Sequence, residues 1–277
     1  MSTSNAIGGQ TVAFIGGGNM ASAIIGGLLR QGLPVSQVEV VEPFPDARAK
    51  LASEFGITAQ ALAGPPLARA HLVVWAVKPQ TFKEAALPVR THTAAALHLS
   101  VAAGIRSDSI AGWLGTERIV RSMPNTPALV GKGMTALFAR QGAMPADRSL
   151  VEQVIESTGA WLWVDEEQQL DAVTALSGSG PAYVFYFLEA MVQAGTELGL
   201  SAQQARRLAI GTFAGASALA AATDDPLEAL RQRVTSKGGT TSAAITSMQE
   251  DDVQALFVKA MHAAATRATE LGNEFGA

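Results

Sequence analysis

The 277-residue sequence predicts an α/β fold in which an N-terminal doubly wound sheet precedes a C-terminal all-helical domain. Short runs rich in β-branched residues alternate with helical stretches over residues 11–164, a pattern typical of a parallel sheet. A glycine-rich turn directly follows the first of these runs, and no strand-like run follows "AWLWV" at residues 160–164. We therefore expect one domain over residues 1–164 and a second over residues 165–277.

The elements can be assigned in chain order from local signals. The expected strands are "TVAFI", "VEVV", "HLVVWAV", "LHLSVAAG", "RIVRSM" and "AWLWV", and the first two are followed by the helical stretches "NMASAIIGGLLRQG" and "PDARAKLASEF". After residue 164, helices are separated by "SGSGP", "GLS", "DDP" and "SKGG". Pro181, Ser201 and Pro226 suit helix starts.

Composition excludes several classes of partner. With 20 basic and 24 acidic residues the net charge is −4, which disfavours nucleic acid and a basic membrane-binding surface. The chain has no cysteine, and its four histidines lack ligand spacing, so no metal site is expected. The run at 208–223 is too short and too rich in small residues for a membrane span. "MSTSNAIGGQ" lacks the features of a signal peptide, so we expect a cytoplasmic chain with a small-molecule substrate.

The glycine-rich turn is "GGGNMA", residues 16–21, which matches G-x-G-x-x-A. Gly16 would allow the tight turn, Gly18 would let the backbone approach a pyrophosphate, and Ala21 would let the helix pack on the strand. Asn19 and Met20 complete the candidate loop. A strand before it, a helix after it and an acidic residue about 20 positions on favour a Rossmann-like dinucleotide site over a purely structural turn.

Glu42, at the end of the second strand, is that acidic residue. A carboxylate there accepts hydrogen bonds from a ribose 2′-hydroxyl and repels a 2′-phosphate, which favours NAD. Arg48 lies close enough in the sequence to complicate this interpretation. The alternative is that Glu42 is an exposed acid beside a proline turn.

Two further loops follow predicted strands, "AVKPQ" at 76–80 and "MPNTPALVGKG" at 123–133. In an open α/β sheet, ligands bind outside the carboxyl ends of the strands, so both loops are expected to line the cofactor crevice. The candidate cofactor residues in them are Ala76, Val77, Lys78, Pro79 and Asn125. The alternatives, a solvated lysine and an asparagine that stabilises its own turn, stay open.

Residues 234–244, "VTSKGGTTSAA", gather a lysine, paired glycines and hydroxyl side chains within an otherwise helix-forming region. Glycine destabilises helices, and Ser and Thr favour caps over helix interiors, so packing alone does not require this cluster. It indicates a helix N-terminus that binds an anion, and the alternative is an ordinary helix N-cap.

The motifs "FIGGGNMA", "AVKP", "MPNTPALVGKG", "ALSGSGPAYVF" and "VTSKGGTTSAAI" occur in this order. On them, the chain resembles pyrroline-5-carboxylate reductases from about residue 11 to residue 272. The resemblance implies hydride transfer from NADPH or NADH to the C=N bond of 1-pyrroline-5-carboxylate, which gives L-proline in the last step of proline biosynthesis. It also implies that residues 165–277 bind substrate and that two such domains interlock into a homodimer, which can assemble further.

The resemblance also assigns roles to the residues of the hydroxyl cluster. Ser236, Gly239 and Thr240 would hold the substrate carboxylate, while the catalytic Thr241 hydroxyl would reach the ring nitrogen. The turn "SGSGP" would either pack beneath the nicotinamide or only separate two helices. Many family members have proline where Lys237 stands, and the family often prefers the phosphorylated nucleotide, which Glu42 does not favour.

Two rival functions use the same motifs. A related imine or β-hydroxyacid-type reductase is the first, but the latter would be expected to place a lysine on the first long helix of the second domain, and residues 181–198 contain none. A non-catalytic dinucleotide-binding sensor is the second, and it would not need the hydroxyl-rich cluster.

Overall fold

A computed structural model describes residues 7–275 and divides the chain into two compact units. The first unit comprises Met1–Ser179 and Ala264–Ala277, and the second comprises Gly180–Ala263. The expected boundary after residue 164 falls where the strands end, but residues 165–179 have their contacts with the first unit. Most of the stretch that argues against a signal peptide, residues 1–6, lies outside the described part.

A seven-stranded sheet forms the centre of the first unit as described, with the order β2-β1-β3-β4-β5-β6-β7. Its strands are β1 (Val12–Ile15), β2 (Val38–Val41), β3 (Leu72–Trp75), β4 (Leu97–Ser100), β5 (Ile119–Met123), β6 (Gly133–Ala139) and β7 (Gly159–Trp163). The six expected strands are confirmed. Neighbouring strands are parallel except β5 and β6, which pair antiparallel. The expected doubly wound sheet is confirmed and is mostly parallel, with β6 and β7 running opposite to the other five strands.

Helices connect the strands of the first unit. They are α1 (Asn19–Arg30), α2 (Pro45–Phe55), α3 (Pro79–Arg90), α4 (Ser107–Leu114), α5 (Pro145–Glu156) and α6 (Gln169–Val173). Three short 3-10 helices span Val35–Gln37, Pro65–Arg69 and Thr126–Val130, and a π-helical turn spans Thr174–Gly178. Proline begins α2, α3 and α5, where its missing N–H costs no helical hydrogen bond.

The core of this unit lies on both faces of the sheet. In β1, Val12 and Phe14 belong to one buried cluster, while Ala13 and Ile15 belong to the other. A strand covered on both faces reads as a continuous apolar run, which is why "VAFI" shows no alternation. Because both faces of the sheet are buried, its strands are held firmly in place. The candidate cofactor loops begin at the carboxyl ends of these strands.

The regular elements described in the second unit are all helices. It contains α7 (Gly180–Glu197), α8 (Ala202–Ala221), α9 (Leu227–Arg233), α10 (Thr240–Glu250) and the beginning of α11 (Val253–Phe275). The expected helix starts are confirmed: Ser201 caps α8 by accepting from Gln204 N at 3.3 Å, and Pro226 directly precedes α9. Across residues 7–275 no helix is long and apolar enough to cross a membrane.

His98 gives the fold a predictable response to acid. It is buried in β4, where its Nδ1 accepts a hydrogen bond from Trp75 Nε1 at 3.0 Å. Burial lowers the pKa of His98 from 6.5 to about 4, so the unfolded chain binds a proton at a higher pH than the folded chain. The free energy of unfolding therefore falls as the pH drops from about 6.5 towards about 4, and His98 does not affect it at higher pH. We expect a loss of about 2 kcal/mol between neutral pH and pH of about 5.

The measurement is denaturation at fixed protein concentration across this pH range, for the natural chain and for His98→Gln. The variant has no titrating imidazole, so its stability should fall less on acidification. Identical pH dependence of the two proteins would show that His98 is not the group responsible.

Candidate active site

The loops after β1 and β3 meet at Gly16. This glycine has φ +94°, and a Cβ there would lie 2.5 Å from the Ala76 carbonyl oxygen and 3.2 Å from Val77 Cγ1. Its N–H also donates to Val41 O at 2.8 Å, at the end of β2. Both the backbone conformation and the lack of space require glycine. The three strand ends are thereby held together.

Gly18 lies at the start of α1, on the open side of the same loop. It is the N-cap residue of α1, with φ −72° and ψ −170°, and no side chain caps this helix in the described structure. A Cβ at Gly18 would meet nothing within 4 Å. Asn19 and Met20 form the first turn, and Ala21 is fully buried beneath it. The uncapped N–H groups of this first turn can bind an anion.

Glu42 braces the glycine loop. Its Oε2 accepts from Gly17 N at 2.7 Å, and its Oε1 accepts from Phe44 N at 2.9 Å. The residue is only 5% exposed, so the alternative of an exposed acid is wrong. The expected contact of Glu42 with a ribose stays a prediction, and its bonds to Gly17 and Phe44 were not anticipated.

The loop after β3 presents Lys78 to solvent. Ala76, Val77 and Pro79 are partly buried, whereas Lys78 is exposed and forms the N-cap residue of α3. The Lys78 carbonyl accepts from Thr81 N at 3.0 Å and from Thr81 Oγ1 at 3.1 Å. The Lys78 ammonium makes no ion pair with any described residue, so it is available to an anionic ligand.

Asn125 joins the loop after β5 to the turn "SGSGP". Its Oδ1 accepts from Met134 N at 2.9 Å, and its Nδ2 donates to the carbonyl and the Oγ of Ser177, both at 3.2 Å. Gly178 packs against Met123, where a side chain would collide with the Met123 Cε atom. Ser177 and Gly178 lie in the π-helical turn, a feature that often marks functional sites. Asn125 thus positions this turn, and the sequence pattern does not predict that bond.

The hydroxyl cluster lies at the N-terminus of α10, in the second unit. Gly238 has φ +75°, and Gly239 is the N-cap residue, whose N–H donates to Ser236 O at 3.0 Å. Thr240 and Thr241 are the first two residues of α10, and both are exposed, as is Ser236. Among the described residues, no side chain caps α10, and these three hydroxyls make no hydrogen bond. The alternative of an ordinary Ser or Thr N-cap is therefore wrong, and the anion site stays a prediction.

Comparison with known proteins identifies the family. Residues 167–271 match the model for pyrroline-5-carboxylate reductase dimerisation, and residues 11–104 match that for NADP oxidoreductase, coenzyme F420-dependent. The chain is 44% identical to a pyrroline-5-carboxylate reductase of Pseudomonas aeruginosa, over 96% of this chain and 98% of the relative. This chain belongs to the pyrroline-5-carboxylate reductase family.

Other members agree in sequence and in structure. The pyrroline-5-carboxylate reductase of Pisum sativum is 36% identical over 94% of this chain and 96% of its own length. The structure of the reductase from Coxiella burnetii superposes with a TM-score of 0.88 at 37% identity, covering 95% of this chain and 98% of that one. The reductase of Plasmodium falciparum, solved with NADP bound, gives a TM-score of 0.86 at 25% identity, covering 95% and 98%.

Proposed function

We propose that this chain reduces 1-pyrroline-5-carboxylate to L-proline with NADPH or NADH, as the last step of proline biosynthesis. The observation that carries the proposal is the 44% identity to a reductase of this name over nearly the whole length of both chains. The glycine loop of the first unit and the start of α10 in the second unit each offer backbone N–H groups without partners. The first suits the pyrophosphate of a dinucleotide, and the second suits the substrate carboxylate.

The glycine loop fits a dinucleotide. The uncapped first turn of α1 offers N–H groups to the pyrophosphate, and the space beside Gly18 leaves room for it. In the proposal, the loop formed by Gly16, Gly18, Asn19, Met20 and Ala21 holds this part, while Ala76, Val77, Lys78, Pro79 and Asn125 line the crevice beyond it and Glu42 braces the loop. When bound, the reduced nicotinamide supplies the hydride.

The start of α10 fits the substrate. Ser236, Gly239 and Thr240 hold the carboxylate, because N–H groups and hydroxyls without partners lie together there. Thr241 Oγ1 accepts the N–H of the protonated ring nitrogen and so orients the C=N bond. The chain's own residues contribute mainly by positioning, which suits a reaction that needs little acid–base chemistry.

A nucleotide oxidation assay tests this function. We expect the purified chain to oxidise NADPH or NADH when 1-pyrroline-5-carboxylate is added, and to leave 2-hydroxy and 3-hydroxy acids unchanged with the oxidised nucleotides. Turnover of a hydroxy acid instead would favour a β-hydroxyacid-type reductase. Nucleotide binding without turnover of any of these compounds would favour a sensor.

The proposal includes a homodimer, which can assemble further. Many large apolar side chains of α7 and α8 are exposed in the single chain, namely Val184, Phe185, Tyr186, Phe187, Met191, Leu208, Ile210 and Leu219. The buried apolar residues described in these two helices are two alanines, Ala205 and Ala209. A second subunit would cover this surface, in line with the match of residues 167–271 to the dimerisation model.

Replacement of Phe185 by aspartate should therefore weaken association. We expect the natural chain to be at least dimeric at micromolar concentration, with a melting temperature that rises with protein concentration. Phe185→Asp should lower the dimeric fraction and the melting temperature. Sedimentation velocity and thermal denaturation measure this. Leu87→Asp on α3 is the matched control, because Leu87 is 53% exposed and Phe185 is 58% exposed. A fully folded natural monomer would contradict the proposal.

A cytoplasmic location is also part of the proposal. The reaction consumes a reduced nicotinamide nucleotide, which the cytoplasm supplies. Fractionation of cells that express the chain tests it.

A further inference from the structure

Arg48 holds the turn after β2 and keeps part of its guanidinium free. It lies in the first turns of α2, and its NH1 donates to Glu42 O at 2.9 Å and to Pro43 O at 2.7 Å. Its Nε and NH2 atoms make no hydrogen bond within the described structure. Arg48 makes no ion pair there either, although Asp46 lies in the same first turn of α2. A fixed cation with two free donor nitrogens therefore lies at the carboxyl end of β2.

Both carboxylate oxygens of Glu42 are already engaged by protein N–H groups. They accept from the backbone of Gly17 and Phe44, and the residue is 5% exposed. The Glu42 carboxylate is thus buried and hydrogen-bonded to the protein, whereas two nitrogens of the Arg48 guanidinium are left for an anion. The rule that an acid here repels a 2′-phosphate assumes a carboxylate that faces the ligand.

Phe44 adds an apolar surface at the same turn. It is 69% exposed, which is unusual for a phenylalanine, while its backbone N–H is held by Glu42 Oε1. An exposed aromatic ring and a partly free guanidinium in the same turn match the two parts of an adenosine 2′-phosphate, a flat base and a dianion.

We propose that Arg48 is the specificity-determining residue that makes this chain prefer NADPH to NADH. The inference rests on the proposed function for the identity of the dinucleotide. The free nitrogens of Arg48 bind the 2′-phosphate, for which guanidinium is well suited, whereas a 2′-hydroxyl offers no charge to it. Glu42 acts as a positioning residue that holds the glycine loop and the Phe44 turn in register.

Nucleotide binding without substrate tests the inference. Titration calorimetry is performed with NADPH, NADH, adenosine 2′,5′-bisphosphate and AMP, on the natural chain, on Arg48→Gln and on Arg90→Gln. Arg90 is an exposed arginine near the end of α3 without an ion pair in the described chain, so it is the matched control. We expect Arg48→Gln to weaken NADPH and the bisphosphate about 10- to 150-fold, while NADH, AMP and the control change little.

Glu42→Ser separates this inference from the simple rule. If Glu42 faced the ribose, its removal would raise the preference for NADPH. We expect instead that both affinities fall together and that their ratio stays unchanged, because the variant loses the bonds to Gly17 and Phe44.

Several outcomes would overturn the inference. An equal loss of NADPH and NADH affinity in Arg48→Gln would show that Arg48 only supports the turn, and unchanged affinities would show that it does not contact the nucleotide. Failure of the proposed function looks different: the chain would bind neither nucleotide, or would bind NADPH through Arg48 without turnover of 1-pyrroline-5-carboxylate.

Discussion

Gly18→Val is expected to weaken nucleotide binding by at least about 100-fold, which corresponds to about 2.8 kcal/mol. The structure separates this effect from a folding defect. Gly18 has an extended backbone, φ −72° and ψ −170°, which valine adopts without strain, and a side chain there meets no protein atom within 4 Å. The added methyl groups therefore occupy only the space proposed for the pyrophosphate. Titration with NADPH and NADH measures the loss.

Two other glycines provide the comparison. Gly112→Val on α4 is the matched control, because Gly112 is also exposed and has open space around it. It should change neither binding nor turnover. Gly16→Val should instead destabilise the fold, since Gly16 has φ +94° and faces the Ala76 carbonyl at 2.5 Å. Unchanged nucleotide affinity in a folded Gly18→Val protein would refute the assignment of this loop.

Local signals in the sequence suffice for most of the fold. The apolar runs, the helix-starting prolines and the Ser201 capping position predict where strands and helices lie, because each depends on a few neighbouring residues. The strand β6 escapes prediction, since Gly133–Ala139 begins at the last residue of the proline- and glycine-rich stretch 123–133, which reads as a loop. Its antiparallel pairing with β5 is a property of the sheet and leaves no local mark.

The candidate site shows the same division. The end of β2 could be predicted from spacing, but the direction in which Glu42 points depends on Gly17, 25 residues earlier in the chain. The bond from Asn125 to Ser177 joins residues that are 52 positions apart. It therefore cannot be predicted from either of the two motifs that contain these residues. By contrast, the glycines and threonines near residue 240 predict a helix start, and α10 begins there. Side-chain partners that come from distant loops require the folded chain.

Thr241→Val is expected to lower kcat/KM for 1-pyrroline-5-carboxylate about 10- to 150-fold while nucleotide affinity stays unchanged. This range corresponds to the loss of one hydrogen bond with a charged partner, roughly 1.5 to 3 kcal/mol. Valine keeps the volume of threonine and removes only the hydroxyl. Thr241→Ala should give a similar loss, because the hydroxyl and not the methyl group is proposed to act.

The structure also predicts what should not change in Thr241→Val. Gly239 is the N-cap residue of α10, and the exposed Thr241 hydroxyl makes no hydrogen bond among the described residues, so its removal should alter the free energy of unfolding by less than about 0.5 kcal/mol. A capping threonine would instead cost about 1 kcal/mol of stability with little kinetic effect. Thr246→Val makes the same change further along α10 and should leave both quantities unaltered. Steady-state kinetics and thermal denaturation of the three variants distinguish these roles, and normal turnover by a destabilised Thr241→Val protein would refute the assignment of residues 234–244 as the substrate site.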